Sequence, residues 1–132
     1  MAENLLEAMA GGLAGMSAEA QRKLVKTMTE ATLRDDHIRP RALTLGWLIY
    51  WTWNSKHSPK GFPDVFLLHP KSGAVVIREL KMVGKKPTVE QKRWLDGFGA
   101  AGLDRGVWTP EDLFSGEIDR VLRAGVGQKR IP

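Results

Sequence analysis

Between residues 61 and 81 the chain reads Gly61-Phe62-Pro63-Asp64, four apolar residues, His69, a Pro70-Lys71-Ser72-Gly73 turn, and then Ala-Val-Val-Ile-Arg-Glu79-Leu80-Lys81. Two apolar, β-prone runs around a four-residue turn predict a hairpin with strands over 64–69 and 74–81. Alternation along the second run puts Val75, Ile77, Glu79 and Lys81 on one face and Val76 and Leu80 on the other, so both faces are largely apolar. Such a strand belongs in the middle of a sheet. Charges at its end are costly unless they are paired or hold a metal. The hairpin therefore constrains fold and chemistry together: a buried strand that brings Asp64, Glu79 and Lys81 to one place.

Two carboxylates and an ammonium on adjacent strand ends suit metal-assisted phosphodiester hydrolysis. Mg²⁺ and Mn²⁺ are hard cations that take oxygen ligands, and such a metal activates water and neutralises phosphate charge. Lys81 is placed to orient the water or stabilise developing charge. The competing reading is structural, an ion pair of Lys81 with Glu79 or Asp64 at a sheet edge. An Asp followed by Glu-x-Lys is by itself a loose pattern that arises often by accident.

The surrounding elements predict an α/β sandwich with strands of mixed direction. Residues 2–10 read as a short helix ended by Gly11-Gly12, and Ser17 caps a second helix with Glu19 in its first turn. Thr29 caps a third, from residue 30 to about 45, that Pro40 should kink or split and Gly46 should end. Residues 47–53 read as a strand rich in aromatic and β-branched side chains. After the hairpin comes a basic loop at 83–87, expected to be mobile. Thr88 then caps a helix with Val89, Trp94, Leu95 and Phe98 facing inward and Gly102 closing it. A short strand, 106–108, precedes the Thr109-Pro110-Glu111-Asp112 helix start, and a last helix runs over 117–124 to Gly125. Trp47, Trp94 and Trp108 sit at core spacing, which leaves Trp53 as the ring expected to be exposed, and His57 is expected to be a solvated loop residue.

At 132 residues and 42% apolar content, the chain has enough material for one globular core. It lacks cysteine, so there is neither a disulfide framework nor a thiolate zinc site. With Glu3 and Glu7 where a signal peptide would be basic, and no apolar run of spanning length, the expectation is a soluble, cytoplasmic protein. The net charge of +5 is unevenly spread. Lys81, Lys85, Lys86, Lys92 and Arg93 follow the carboxylates against Glu90 alone, and Lys56 and Lys60 precede them. Clustered positive charge beside an acidic site suits a nucleic-acid backbone; a solvated helix face and a basic tail are the plainer reading.

Five blocks recur in order: Gly46-Trp47-Leu48-Ile49-Tyr50, Gly61-Phe62-Pro63-Asp64, Glu79-Leu80-Lys81, Gln91-x-x-Trp94-Leu95, and Gly102 followed by Val107-Trp108-x-Pro110-x-Asp112. Together they resemble the VRR-NUC branch of the PD-(D/E)XK, or restriction-endonuclease-like, nuclease superfamily, in particular its small stand-alone members common in phages. The resemblance covers about residues 29–113. It implies a core of helix, three-stranded antiparallel meander, helix and further strand, with residues 1–28 a helical extension and 29–132 the nuclease domain. It further implies that Asp64, Glu79 and the Leu80 carbonyl ligate Mg²⁺ or Mn²⁺, that Lys81 positions or activates water, and that Gln91 orders water or phosphate beside them. Glu30 matches the acidic residue at the start of the family's first core helix, which would be catalytic and approach the metal directly or through water, with Glu19, Asp35 and Asp36 as other acids able to fill that place.

The implied activity is metal-dependent DNA cleavage, most readily on branched DNA in the manner of Holliday-junction resolvases, by a homodimer with two equivalent sites. Lys56, Lys60, Lys85, Lys86, Lys92 and Arg93 would contact the DNA backbone. The alternatives are a non-catalytic DNA-binding protein on the same scaffold, or a general or flap nuclease.

Overall fold

The computed structural model describes residues 15–52 and 58–127. Helix α1 (Ala18–Thr27) begins where Ser17 Oγ accepts from the Ala20 N–H at 3.1 Å. Helix α2 is continuous through Glu30–Thr32, a π-helical stretch Leu33–Ile38, and Arg39–Thr44. Pro40 therefore neither splits nor ends it, contrary to the expectation from sequence. The π stretch ahead of the proline, with Arg39 N–H bonded to the Arg34 carbonyl, absorbs the missing donor within a wider turn. Gly46, at φ +89°, ends the helix as expected.

Strands β1 (Leu48–Trp51), β2 (Val65–Leu68) and β3 (Val75–Leu80) form an antiparallel meander, and β4 (Asp104–Trp108) joins the far side of β3 in parallel. The buried strand β3 is thus internal, as its two apolar faces require. Helix α3 (Val89–Ala100) links β3 to β4, and α4 (Pro110–Phe114) and α5 (Glu117–Gly127) complete the chain. Both predicted caps, Thr88 and Thr109, are formed as capping boxes. The predicted helix at 2–10, Trp53 and His57 lie outside the described residues.

The two faces of the sheet are packed differently. Val65, Leu67, Val76, Leu80 and Trp108 meet Leu33, Ile38 and Ala42 of α2 and Leu113, Ile118, Val121 and Leu122 of α4 and α5 in one core. Gly125 does not stop α5, as the sequence suggested, but serves this core. A Cβ there would lie 2.4 Å from the Trp47 ring, whose Nε1 donates to the Leu122 carbonyl. On the other face α3 lays Leu95 and Phe98 against the sheet, Phe98 meeting Phe66 edge-on. Val89, expected to face inward, is exposed at the first turn. Beyond the reach of α3 no described element covers the same sheet face: Leu48, Tyr50 and Leu68 are 57%, 60% and 39% exposed.

Candidate functional site

The site grows from a conflict between proline and the sheet ladder. Lys81 N–H turns towards β4, donating to the Trp108 carbonyl at 3.0 Å, so Leu80 turns its backbone groups towards β2. Carried two residues past the Val65↔Arg78 pair, the register sets Pro63 opposite Leu80 and Asp64 opposite Glu79. Pro63 has no N–H, so it cannot complete the exchange with the Leu80 carbonyl. Its own carbonyl accepts from Thr52 Oγ1 at 3.0 Å, and the Leu80 N–H donates to Asp64 Oδ2 at 2.8 Å. The Pro-Asp dipeptide thus frees one carbonyl of the central strand and fixes a carboxylate beside it.

Gly61 explains the approach of the next element. At φ +87° it turns the chain against the start of α3, where a Cβ would lie 2.5 Å from the Glu90 backbone. Trp94 Nε1 donates to the Lys60 carbonyl, and Lys60 Nζ lies 3.4 Å from Glu90 Oε1. The N-terminal end of α3 is therefore fastened to the loop that carries Asp64.

Glu79 is 1% exposed, and both of its carboxylate oxygens are buried without a hydrogen-bond donor. Its pKa is pushed up to about 9, first by burial, then by a side-chain hydrogen bond with Asp64 and by the charge of Asp64. Glu30 adds to the rise and Lys81 opposes it. Two charged carboxylates have no donor to offer one another, so their proximity favours a proton on one of them. A hard divalent cation meets the same demand: it neutralises the pair, and its preferred oxygen ligands are those present, from Asp64, Glu79 and the Leu80 carbonyl. These residues fit a Mg²⁺ or Mn²⁺ ion. Among the described residues, no group of three or more His, Cys, Asp or Glu side chains is arranged to hold a metal ion, so the fit rests on two carboxylates and a backbone carbonyl.

The other residues singled out from sequence are dispersed around this pair. Lys81 is half-buried and takes no part in the ion pairs among the described residues, so neither structural ion pair is formed. Glu30 opens α2 behind Thr29, whose Oγ1 accepts from the Thr32 N–H, and acts on Glu79 through its charge. Gln91 spends its side-chain carbonyl on the Thr88 N–H at 2.8 Å, as half of the α3 capping box. Lys85 and Lys86 are exposed on the turn before α3, Lys92 and Arg93 are exposed on its first turns, and Lys60 is exposed on the Gly61 turn. Lys56 lies outside the described residues.

Sequence reasoning missed two arginines. Arg34 stands one turn along α2 from Glu30 and is clamped to Asp35 by two hydrogen bonds, 2.8 and 3.0 Å. That bond above all, and the charges of Asp35 and Asp64, hold its pKa up, so Arg34 feels the charge of Asp64. The i, i+4 spacing of Glu30 and Arg34 was the available signal. Arg78 is buried within β3, donating to Asp104 Oδ1 at 2.9 Å and to the Ile77 carbonyl, with its guanidinium 4.8 Å from the centre of the Trp108 ring. A lone cation inside an apolar strand pointed to such a partner set.

No family model and no curated protein matches the chain. A solved structure described as "VRR_NUC domain" does, with a TM-score of 0.56 and 23% identity, covering 72% of this chain and 96% of that one. The chain has the fold of that domain, and the resemblance read from its five sequence blocks holds at the level of fold.

Proposed function

We propose that this chain, folded as a VRR_NUC domain is folded, is a divalent-metal-dependent endonuclease that hydrolyses DNA phosphodiesters. The observation that carries the reading is the pair of half-buried Asp64 and buried Glu79, the latter with no donor for either oxygen. A protein does not keep such a pair for stability, because burying like charges together is unfavourable. Asp64, Glu79 and the Leu80 carbonyl would hold Mg²⁺ or Mn²⁺, with Glu30 near enough to add negative charge. Bound there, the metal would polarise the phosphodiester and make water a better nucleophile.

The chain's own groups supply the rest. The Leu80 N–H holds Asp64 in place. Lys81, on the same strand face as Glu79 and free of a carboxylate partner among the described residues, orients the attacking water and stabilises charge on the phosphate. Gln91 shapes the site by starting α3 where Gly61 docks, and its amide nitrogen remains to order water or phosphate. Lys60, Lys85, Lys86, Lys92, Arg93 and Lys56 neutralise the DNA backbone. The carboxylate pair belongs to residues 29–132, the catalytic domain of this reading, to which residues 1–28 would be an extension.

In the finer form of the reading the substrate is branched DNA and the enzyme is a homodimer acting where DNA is kept, in the cytoplasm. Paired cuts across a four-way junction need two equivalent sites about a two-fold axis. The bare sheet face of Leu48, Tyr50 and Leu68 offers an apolar surface for a second copy. The test is cleavage of labelled four-way junction, flap, nicked, single-stranded and linear duplex DNA with Mg²⁺, Mn²⁺ or EDTA. Paired symmetric cuts in the junction alone, lost in EDTA, are the expected result. Equal cutting of every substrate would remove the branched-DNA reading, and metal-independent binding without cutting would remove the nuclease.

A further inference from the structure

Helix α3 carries a second feature on its outer side. Trp94, Gly97, Phe98 and Ala101 stand at helical spacing and line a hollow of about 600 Å³ rimmed by Lys60, Arg93 and Glu90. The hollow exists because small residues alternate with rings: a Cβ on Gly97 would meet no atom within 4 Å. The rings are fixed from behind. Phe62 meets Trp94 edge-on with centroids 5.1 Å apart, Trp94 and Phe98 lie 5.9 Å apart, and Trp94 Nε1 is tied to the Lys60 carbonyl. Immobilised aromatic faces are the surface on which nucleobases stack.

The rim suits the same ligand. Lys60 is balanced by Glu90, whereas Arg93 is exposed and joins no ion pair among the described residues, and Lys92 is exposed beside it. Lys60, on the rim, and Asp64, in the carboxylate pair, are four residues apart, so their Cα atoms are at most about 14 Å from each other. A strand whose phosphate reaches Asp64 passes this hollow within a few nucleotides. We infer that the outer face of α3 is a binding site for an unpaired nucleobase of the DNA strand bound at Asp64 and Glu79. A stacked, fully paired duplex keeps its bases out of such a hollow, so the site favours DNA with unpaired residues. The inference rests on the nucleic-acid reading above, but not on cleavage.

The test uses the full chain in EDTA, with a duplex carrying one unpaired 2-aminopurine beside the fully paired duplex of the same length. Stacking on Trp94 quenches the unpaired probe. Gly97→Leu fills the hollow from a helical position that favours leucine over glycine, so its folding is secure. Trp94→Ala removes the ring. In both variants affinity for the unpaired probe is expected to fall about tenfold, and in Gly97→Leu, which leaves the Trp94 bond to Lys60 in place, affinity for the paired duplex holds. Wild-type affinities in Gly97→Leu, an equal loss on both probes, or absence of quenching in the wild type (a hollow closed by the chain itself) would each overturn the assignment. Absence of cleavage with Mg²⁺ or Mn²⁺ would leave these affinity ratios unchanged, so failure of the nuclease reading is seen separately.

Discussion

At the scale of single residues, Glu79 decides most. Its carboxyl is held to about pH 9 in the folded chain, against 4.5 for the free group, so between these values the folded state keeps a proton that the unfolded state has lost. The stability this proton gives is complete below pH 4.5 and disappears as pH rises towards 9. Metal-free protein is therefore expected to melt at progressively lower temperature over that range. Glu79→Gln should flatten the slope and stabilise the metal-free chain at pH 8.5 by about 1–3 kcal/mol. Mn²⁺ should restore the wild type increasingly as pH rises, because binding displaces the proton, and should do little for the variant. Thermal denaturation against pH, with and without Mn²⁺, checks this. A wild type whose melting temperature rose steadily from pH 5 to 9 without metal would show that Glu79 ionises freely.

At the scale of elements, the hinge of the account is the contact between the Gly61 turn and α3. Gly61→Ala places a methyl against the Glu90 backbone at a positive φ, which should cost about 2–3 kcal/mol and push α3 off the Asp64 loop. Chemical denaturation measures the first effect, and cleavage should fall in parallel. An unchanged midpoint with full cleavage would mean that this docking is unimportant. The elements themselves were largely legible in the sequence because their signals are local. Ser17, Thr88 and Thr109 cap helices as their neighbours foretold, and the Pro70–Gly73 turn set the hairpin. What was not legible depends on distant partners. The sequence shows Pro40 as a helix breaker, but the core around Leu33 and Ile38 holds α2 together through a π turn. Gly125 reads as a stop until Trp47, far away in sequence, is seen to need its space. In the site, Asp64, Glu79 and Lys81 could be read from one hairpin, whereas Arg34 needed α2 laid beside it.

At the scale of the whole molecule, the described residues cover the sheet fully on one face and half on the other, and Lys60, Lys85, Lys86, Lys92 and Arg93 are exposed at and before the start of α3. Backbone recognition by those cations makes binding salt-dependent. Lys85→Gln with Lys86→Gln should weaken binding to all DNA forms alike and lower the slope of log affinity against log salt by about 1–2. Titrations at several salt concentrations read this, and an unaltered slope would take both lysines out of the interface. The bare face makes its own prediction: Tyr50→Glu sets a charge among Leu48 and Leu68, and should turn a dimer into a folded monomer in sedimentation. A variant that sedimented as the wild type does would place any dimer contact elsewhere.

The most direct measurement is cleavage of a labelled four-way junction by the wild type and by Glu79→Gln, in Mn²⁺ and in EDTA, with thermal melting of both proteins in the same buffers. Cutting by the wild type in Mn²⁺ only is expected, with a folded Glu79→Gln protein slower by at least about a thousandfold, since it would lack a proposed ligand of the metal that stabilises the transition state. A Glu79→Gln protein that cuts at the wild-type rate, or a wild type that cuts equally well in EDTA, would contradict the proposed function.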